Sequence, residues 1–216
     1  MEMDALQIGA RLAAKETDVP SNVILYRKLK EIGLNQVREG LENLEDVGQS
    51  IFIGDSSVQS IDAILGSIRL HHTRFGVQLA VVDYAQIIEI AVSRDSNREQ
   101  GIADIARRLK NIAKELGICV ILLSQINREG YANGIPEPSA SQLRGSGQIN
   151  EAADLTLVVY RPEVLKTQYR DPFSNIDTHN TAMIKIEKDR NGGYGGIGSF
   201  IVNFDGPTTT FEDKAP

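Results

Sequence analysis

Apolar positions recur along the chain with two periods, one helical and one extended, and the alternation between them predicts the order of elements. The first third is helical. Leu6, Ala10 and Ala13 share a face behind Asp4, a residue suited to cap the first free backbone N–H groups. Ser21, after Pro20, is placed to cap a short second helix reaching Leu29. Val37, Leu41, Leu44 and Val47 form a third stripe behind Asn35, stopped by Gly48. IFIGD (51–55) reads as a short strand, and Ser60 then opens a helix on Ile61, Ile64, Leu65 and Ile68 that ends near Gly76.

The run LAVVD (79–83) is apolar up to one carboxylate, as in a strand buried on both faces. After a polar stretch to Arg98 comes the clearest stripe, Ile102, Ile105, Leu109, Ile112 and Leu116, closed by Gly117. ICVILLSQ (118–125) follows as a strand. Strand, helix, strand predicts a parallel βαβ unit with a right-handed crossover. Ligands of open parallel sheets gather at the carboxyl ends of strands, where Asp55, Asp83 and Gln125 fall. Residues 127–142 make a polar loop longer than a plain connection requires, and TLVVYR (156–161) is another buried strand. A second polar loop (162–180) leads to MIKIEKDR, GSFIVNF and TTTFED, joined through NGGYGG as an antiparallel addition. The fold class is therefore α/β, with a mostly parallel central sheet flanked by helices and antiparallel strands at the C-terminus.

Composition narrows the function classes. The 216 residues are 41% hydrophobic and 24% charged, an ordinary globular balance. A net charge of −6 argues against a protein that coats nucleic acid with its whole surface, but leaves room for a local basic lining. The single cysteine, Cys119, excludes an intramolecular disulfide and is expected as a packed core thiol. His71, His72 and His179 with that cysteine are too few, and too poorly spaced, for a zinc cage. No apolar run approaches the roughly 18 residues of a membrane span, and MEMDALQIGA lacks a basic signal-peptide start, so the expected location is the cytoplasm.

Four constellations carry candidate chemistry. Asp83, just past a buried strand, suits either the water shell of Mg²⁺ on a nucleotide or an ordinary helix cap. Gln125 ends the neighbouring strand with an amide able to read a γ-phosphate, or simply to meet solvent. Arg144, with Gly145 and Gly147, offers a cation and close backbone N–H groups to an anion such as single-stranded DNA, or is a flexible loop with an incidental arginine. Lys188 and Arg190 point the same way at a strand end, within reach of phosphates or as a charged hairpin end. The basic residues on the polar face of 98–116 are diluted by Glu99, Asp104 and Glu115 and read as a solvated surface.

Together and in order, VVDYAQII, LLSQINRE, QLRGSGQINEAADLTLVVYR and IKIEKDRNG, followed by a strand and TTTFED, resemble the C-terminal motor domain of DnaB-type replicative helicases. Members of that family are RecA-like ATPases that form hexameric rings on single-stranded DNA. The resemblance spans nearly the whole chain. It implies ATP and Mg²⁺ as cofactors, a homo-hexamer, 5′ to 3′ movement, and primase and a helicase loader as partners. By the same resemblance Asp83 is the Walker B carboxylate, and Gln125 senses the γ-phosphate. Arg144, Gly145 and Gly147 face DNA, and Lys188 and Arg190 reach a neighbouring subunit's ATP. Asp189 replaces the glutamine usual between that pair, on the opposite face. Glu2 takes the place of the glutamate that polarises the attacking water, with the strand before it missing.

None of the 19 glycines is followed by lysine, so no GxxxxGK[ST] phosphate loop lies within the chain. The expectation is one RecA-like domain over 1–216, truncated on its N-terminal side, lacking a central strand and inactive alone. Rivals are another RecA-like ring ATPase of recombinase or circadian-clock type, and a catalytically inactive helicase-like binding module.

Overall fold

The computed structural model describes residues 3–27, 29–48, 51–55, 59–89, 98–126, 137–140, 146–192 and 198–214. The chain divides into two compact units. The first comprises Met1–Ser57, His179–Thr181 and Ile201–Pro216, and the second Val58–Thr178 and Ala182–Phe200.

In the first unit α1 (Ala5–Thr17) starts as the sequence predicts: the Asp4 carboxylate accepts from Gln7 N at 2.7 Å, and the Gln7 side chain accepts from Asp4 N at 3.2 Å. Helix α2 (Ser21–Tyr26) is shorter than expected, and Ser21 is its first residue, not its cap, because Pro20 takes the cap position. Helix α3 (Glu31–Gly48) begins before Asn35, which lies inside it. Its contact with α1 is close: a Cβ at Gly40 would collide with Thr17 Cγ2 unless that side chain shifted. Val37 is buried as predicted, but Leu41 is 46% exposed. Residues 51–55 are not a strand: among the described residues they belong to neither sheet. Asp55 accepts instead from Ala5 N at the start of α1.

The second unit holds the βαβ core. Helix α4 (Ile61–Phe75) is capped by the Ser60 hydroxyl, accepting from Ala63 N at 3.2 Å, and ends at Gly76 in the left-handed region. Strand β1 (Leu79–Val82), helix α5 (Arg98–Leu116) and strand β2 (Cys119–Leu122) follow, with β1 and β2 paired in parallel from Leu79↔Cys119 to Val82↔Leu122. Ile61, Leu65 and Ile68 of α4 meet Ile105, Leu109 and Ile112 of α5 and Val82 in one core cluster, which also covers Ala80, Val120 and Leu122.

The opposite face of this two-stranded sheet is open, which corrects the expectation of burial on both sides. Leu79, Val81 and Ile121 are 51%, 57% and 42% exposed. Cys119 lies on the same face and is exposed, not a core thiol. An apolar run cannot reveal whether one covering layer or two is present.

Helix α6 (Ser146–Ala152) packs Ile149 against Ile102 and Ala106 of α5. Strand β3 (Leu155–Tyr160) alternates strictly: Thr156, Val158 and Tyr160 are buried, while Leu155, Leu157 and Val159 are 45–51% exposed. It too is covered on one face only, against expectation. A short helix, α7 (Pro162–Leu165), lies in the predicted loop 162–180. Strand β4 (Thr181–Asp189) pairs antiparallel with β3 in this unit, and β5 (Gly198–Asp205) pairs antiparallel with β6 (Thr210–Asp213) through residues of the first unit. This matches the predicted addition.

The contrast between covered and open faces has a measurable consequence. Ile105→Ala, at a site 2% exposed, is expected to cost about 2–5 kcal/mol in urea unfolding. Val81→Thr, on the open face, should change stability by less than about 0.5 kcal/mol.

Candidate functional site

Asp83 follows β1 directly and is exposed, and Gln125, also exposed, lies three residues past β2. Parallel pairing puts both at one end of the sheet. Past the last regular rung, Leu123 N donates to Val82 O at 3.0 Å and Ala85 N donates to Leu123 O at 2.9 Å. The Asp83–Tyr84 peptide is cis, and residues 85–87 form a single 3₁₀ turn. Within that turn Gln86 reaches across to β2: its Nε2 donates to Ser124 Oγ at 2.9 Å and its Oε1 accepts from Gln125 N at 3.3 Å.

A magnesium ion bound with substrate phosphates and water needs only one or two carboxylates from protein. An exposed carboxylate at a parallel strand end fits that manner of binding. A cage built by protein alone is a different matter. Among the described residues, no group of three or more His, Cys, Asp or Glu could hold a metal.

Lys188 and Arg190 form a second cluster, on the carboxyl end of α6. Lys188 Nζ donates to Asn150 O at 2.5 Å and to Glu151 O at 3.0 Å, and Arg190 Nη2 donates to Glu151 O at 2.9 Å. These carbonyls are among those a helix end leaves without internal partners, and the helix dipole favours cations there. Asp154 adds a carboxylate, paired with Lys110 of α5 and 3.7 Å from Arg190 Nη1.

The pair reaches α6 through a bulge. Thr156 faces Lys188 but Leu157 faces Ile186, so Glu187 is the extra residue on β4. The bulge turns Lys188 onto the face of Thr156, and the two clasp Asn150 together, Thr156 Oγ1 donating to Asn150 Oδ1 at 2.8 Å. Asp189 turns away, as expected, and accepts from Asn191 N and Gly192 N at 3.1 and 3.0 Å.

The structure thus brings Asp83 to Gln125, and Lys188 to Arg190. Gly147 lies in the first turn of α6. Glu2, Arg144 and Gly145 fall outside the described residues. On α5, Arg107 pairs with Asp104, Arg108 with Asp62, and Glu115 with Arg69, in keeping with a solvated face. Gln86, Asp154 and the bulge escaped sequence reasoning. Gln86 stands three residues past Asp83, but only the 3₁₀ turn aims it at β2.

The architecture defines a class first: an α/β domain of RecA-like fold. A solved DnaB-like replicative helicase, described with its interactions with primase, superposes with a TM-score of 0.82 at 25% identity, over 99% of this chain and 49% of that one. The ATPase domain of G40P gives 0.83 at 24% identity, over 99% and 72%. Residues 1–213 match the family described as DnaB-like helicase C terminal domain, and the chain belongs to it. The replicative DNA helicase DnaB of Haemophilus influenzae is 35% identical over all of this chain and 44% of its own length. That of Rickettsia prowazekii is 32% identical over 91% of this chain and 42% of its own. The chain therefore spans less than half the length of these two relatives.

Burial first, and then the adjacent Arg190 guanidinium, hold the Lys188 amine below the usual lysine range, with Glu151 opposing. Arg190→Ala removes one cause, so the Lys188 amine should titrate closer to an ordinary lysine in a side-chain NMR titration. With the folded value below the unfolded one, the native state holds fewer protons in the alkaline window between them. The Lys188 contribution to stability therefore rises with pH across that window.

Proposed function

We propose that residues 1–216 act as one motor domain of a replicative DNA helicase, coupling ATP hydrolysis in its intact form to 5′ to 3′ movement along single-stranded DNA and to duplex unwinding. The observation that supports this reading is that Asp83 and Gln125 both lie just past the carboxyl ends of two paired parallel strands in a chain of this family. Mg²⁺ with ATP supplies a polarised γ-phosphoryl group when bound.

In this reading Asp83 would hold the ion through water, and the Gln125 amide N–H would donate to a γ-phosphate oxygen. Glu2 orients the attacking water. Arg144, Gly145 and Gly147 track DNA phosphates without reading sequence. Lys188 and Arg190 serve the triphosphate of the next subunit in a homo-hexamer, neutralising charge that spreads over its oxygens. A primase and a loader are the protein partners, and the setting is the cytoplasm. Residues 1–216 contain no Gly-Lys pair, so the phosphate-binding loop must be supplied from outside them.

Two outcomes test this. In protein made from the full reading frame, Arg190→Ala should lower DNA-stimulated ATP turnover by about a thousandfold or more. Mixing it with Asp83→Ala subunits should restore part of that turnover, because some interfaces then combine an intact Asp83 with an intact Arg190. The purified 216-residue chain alone should show no turnover with single-stranded DNA; robust turnover would overturn the dependence on an outside loop.

A further inference from the structure

The parallel ladder between β1 and β2 does not stop where the backbone of β1 turns away. In a regular parallel pair, every second residue of one strand donates its N–H to the partner strand and accepts from it two residues further on. Leu123 keeps the first half of this by donating to Val82 O, and then accepts from Ala85 N, one residue beyond the regular position, because the opposite chain has begun to turn. The next residue in that alternation is Gln125, but the chain opposite has by then entered the 3₁₀ turn 85–87. The partner atoms there belong to a side chain. Gln86 Oε1 accepts from Gln125 N at 3.3 Å, and Gln86 Nε2 lies 3.5 Å from Gln125 O while donating to Ser124 Oγ at 2.9 Å.

A primary amide carries the same donor and acceptor as a peptide group. Its orientation is also dictated, since the Gln125 N–H can face only the amide oxygen. We infer that Gln86 is a positioning residue whose side-chain amide serves as a surrogate peptide unit, adding one rung to the ladder and fixing Gln125 at the strand end that also carries Asp83.

The consequence for chemistry rests on the motor-domain reading. Gln125 is exposed and lies past the last regular strand residue, so without this rung its backbone has no described tie to β1. A sensor that swings by an ångström loses much of its effect on a transition state while barely altering substrate binding. Gln86 touches the backbone of Gln125 and the hydroxyl of Ser124, so its removal should appear in kcat and leave KM for ATP nearly unchanged. Glutamate at 86 keeps an acceptor for Gln125 N but sets a second oxygen against Gln125 O and cannot donate to Ser124.

The test has two readouts. In the 216-residue chain, amide hydrogen exchange at Gln125 should quicken about tenfold or more in Gln86→Ala, with Gln86→Glu in between. In protein from the full reading frame, Gln86→Ala should lower kcat about 10- to 100-fold with KM little changed, and Gln86→Glu should recover part of the loss. Unchanged exchange at Gln125 overturns the surrogate rung. Faster exchange with unchanged kcat overturns its positioning role. Faster exchange in a parent protein that shows no ATP turnover at all upholds the rung and overturns the motor-domain reading. Should Gln86→Ala fail to fold, Gln86→Glu carries the same comparison alone.

Discussion

The geometry of this molecule depends on one pairing of two short strands. Four residues of β1 lie beside four of β2 in parallel, and that register alone decides which side chains emerge together at the carboxyl end. Parallel pairing cannot be closed by a tight turn, so it needs the crossover helix α5, and α5 needs the apolar stripe from Ile102 to Leu116 to hold it against the sheet. A slip of one residue would send Val82 to the open face and bring an exposed partner into the core. Register and core therefore enforce each other.

The same helix links the two clusters of candidate chemistry. One stretch of α5 carries Ile105 and Ile112 into the main core, and Ile102 and Ala106 into the contact with Ile149 of α6. Lys110, one turn further, meets Asp154 beside Arg190. Thus the strand ends at Asp83 and Gln125 and the basic pair on α6 are both referred to one rigid rod. A displacement of α6 against α5 would be felt at Ile149 and at Asp154 together.

Much of this was legible in the sequence, for identifiable reasons. Asp4, Ser60, Gly76 and Gly117 mark helix ends because capping and left-handed backbone are local chemistry, readable from a few residues. The stripe on α5 is long enough to leave no rival period. Residues 51–55 misled because an apolar pentapeptide reveals its own extended preference but not whether it joins a sheet. LAVV and TLVVY misled in a related way, since the count of covering layers is a property of other segments. The bulge at Glu187 and the reach of Gln86 were hidden because each depends on what the opposite strand does at that level.

The seat of Lys188 and Arg190 on α6 also sets where those side chains start from. Long basic side chains are among the most mobile in a protein, and ordering one costs up to about 2 kcal/mol. Here three hydrogen bonds to Asn150 O and Glu151 O already hold both, so that ordering belongs to folding and not to any later encounter. The seat is also charged: the Asp154 carboxylate lies 3.7 Å from Arg190 Nη1, and the helix end adds a partial negative charge. Any anion drawing either cation away would have to outweigh both, so the seat sets a threshold on the charge of whatever displaces it.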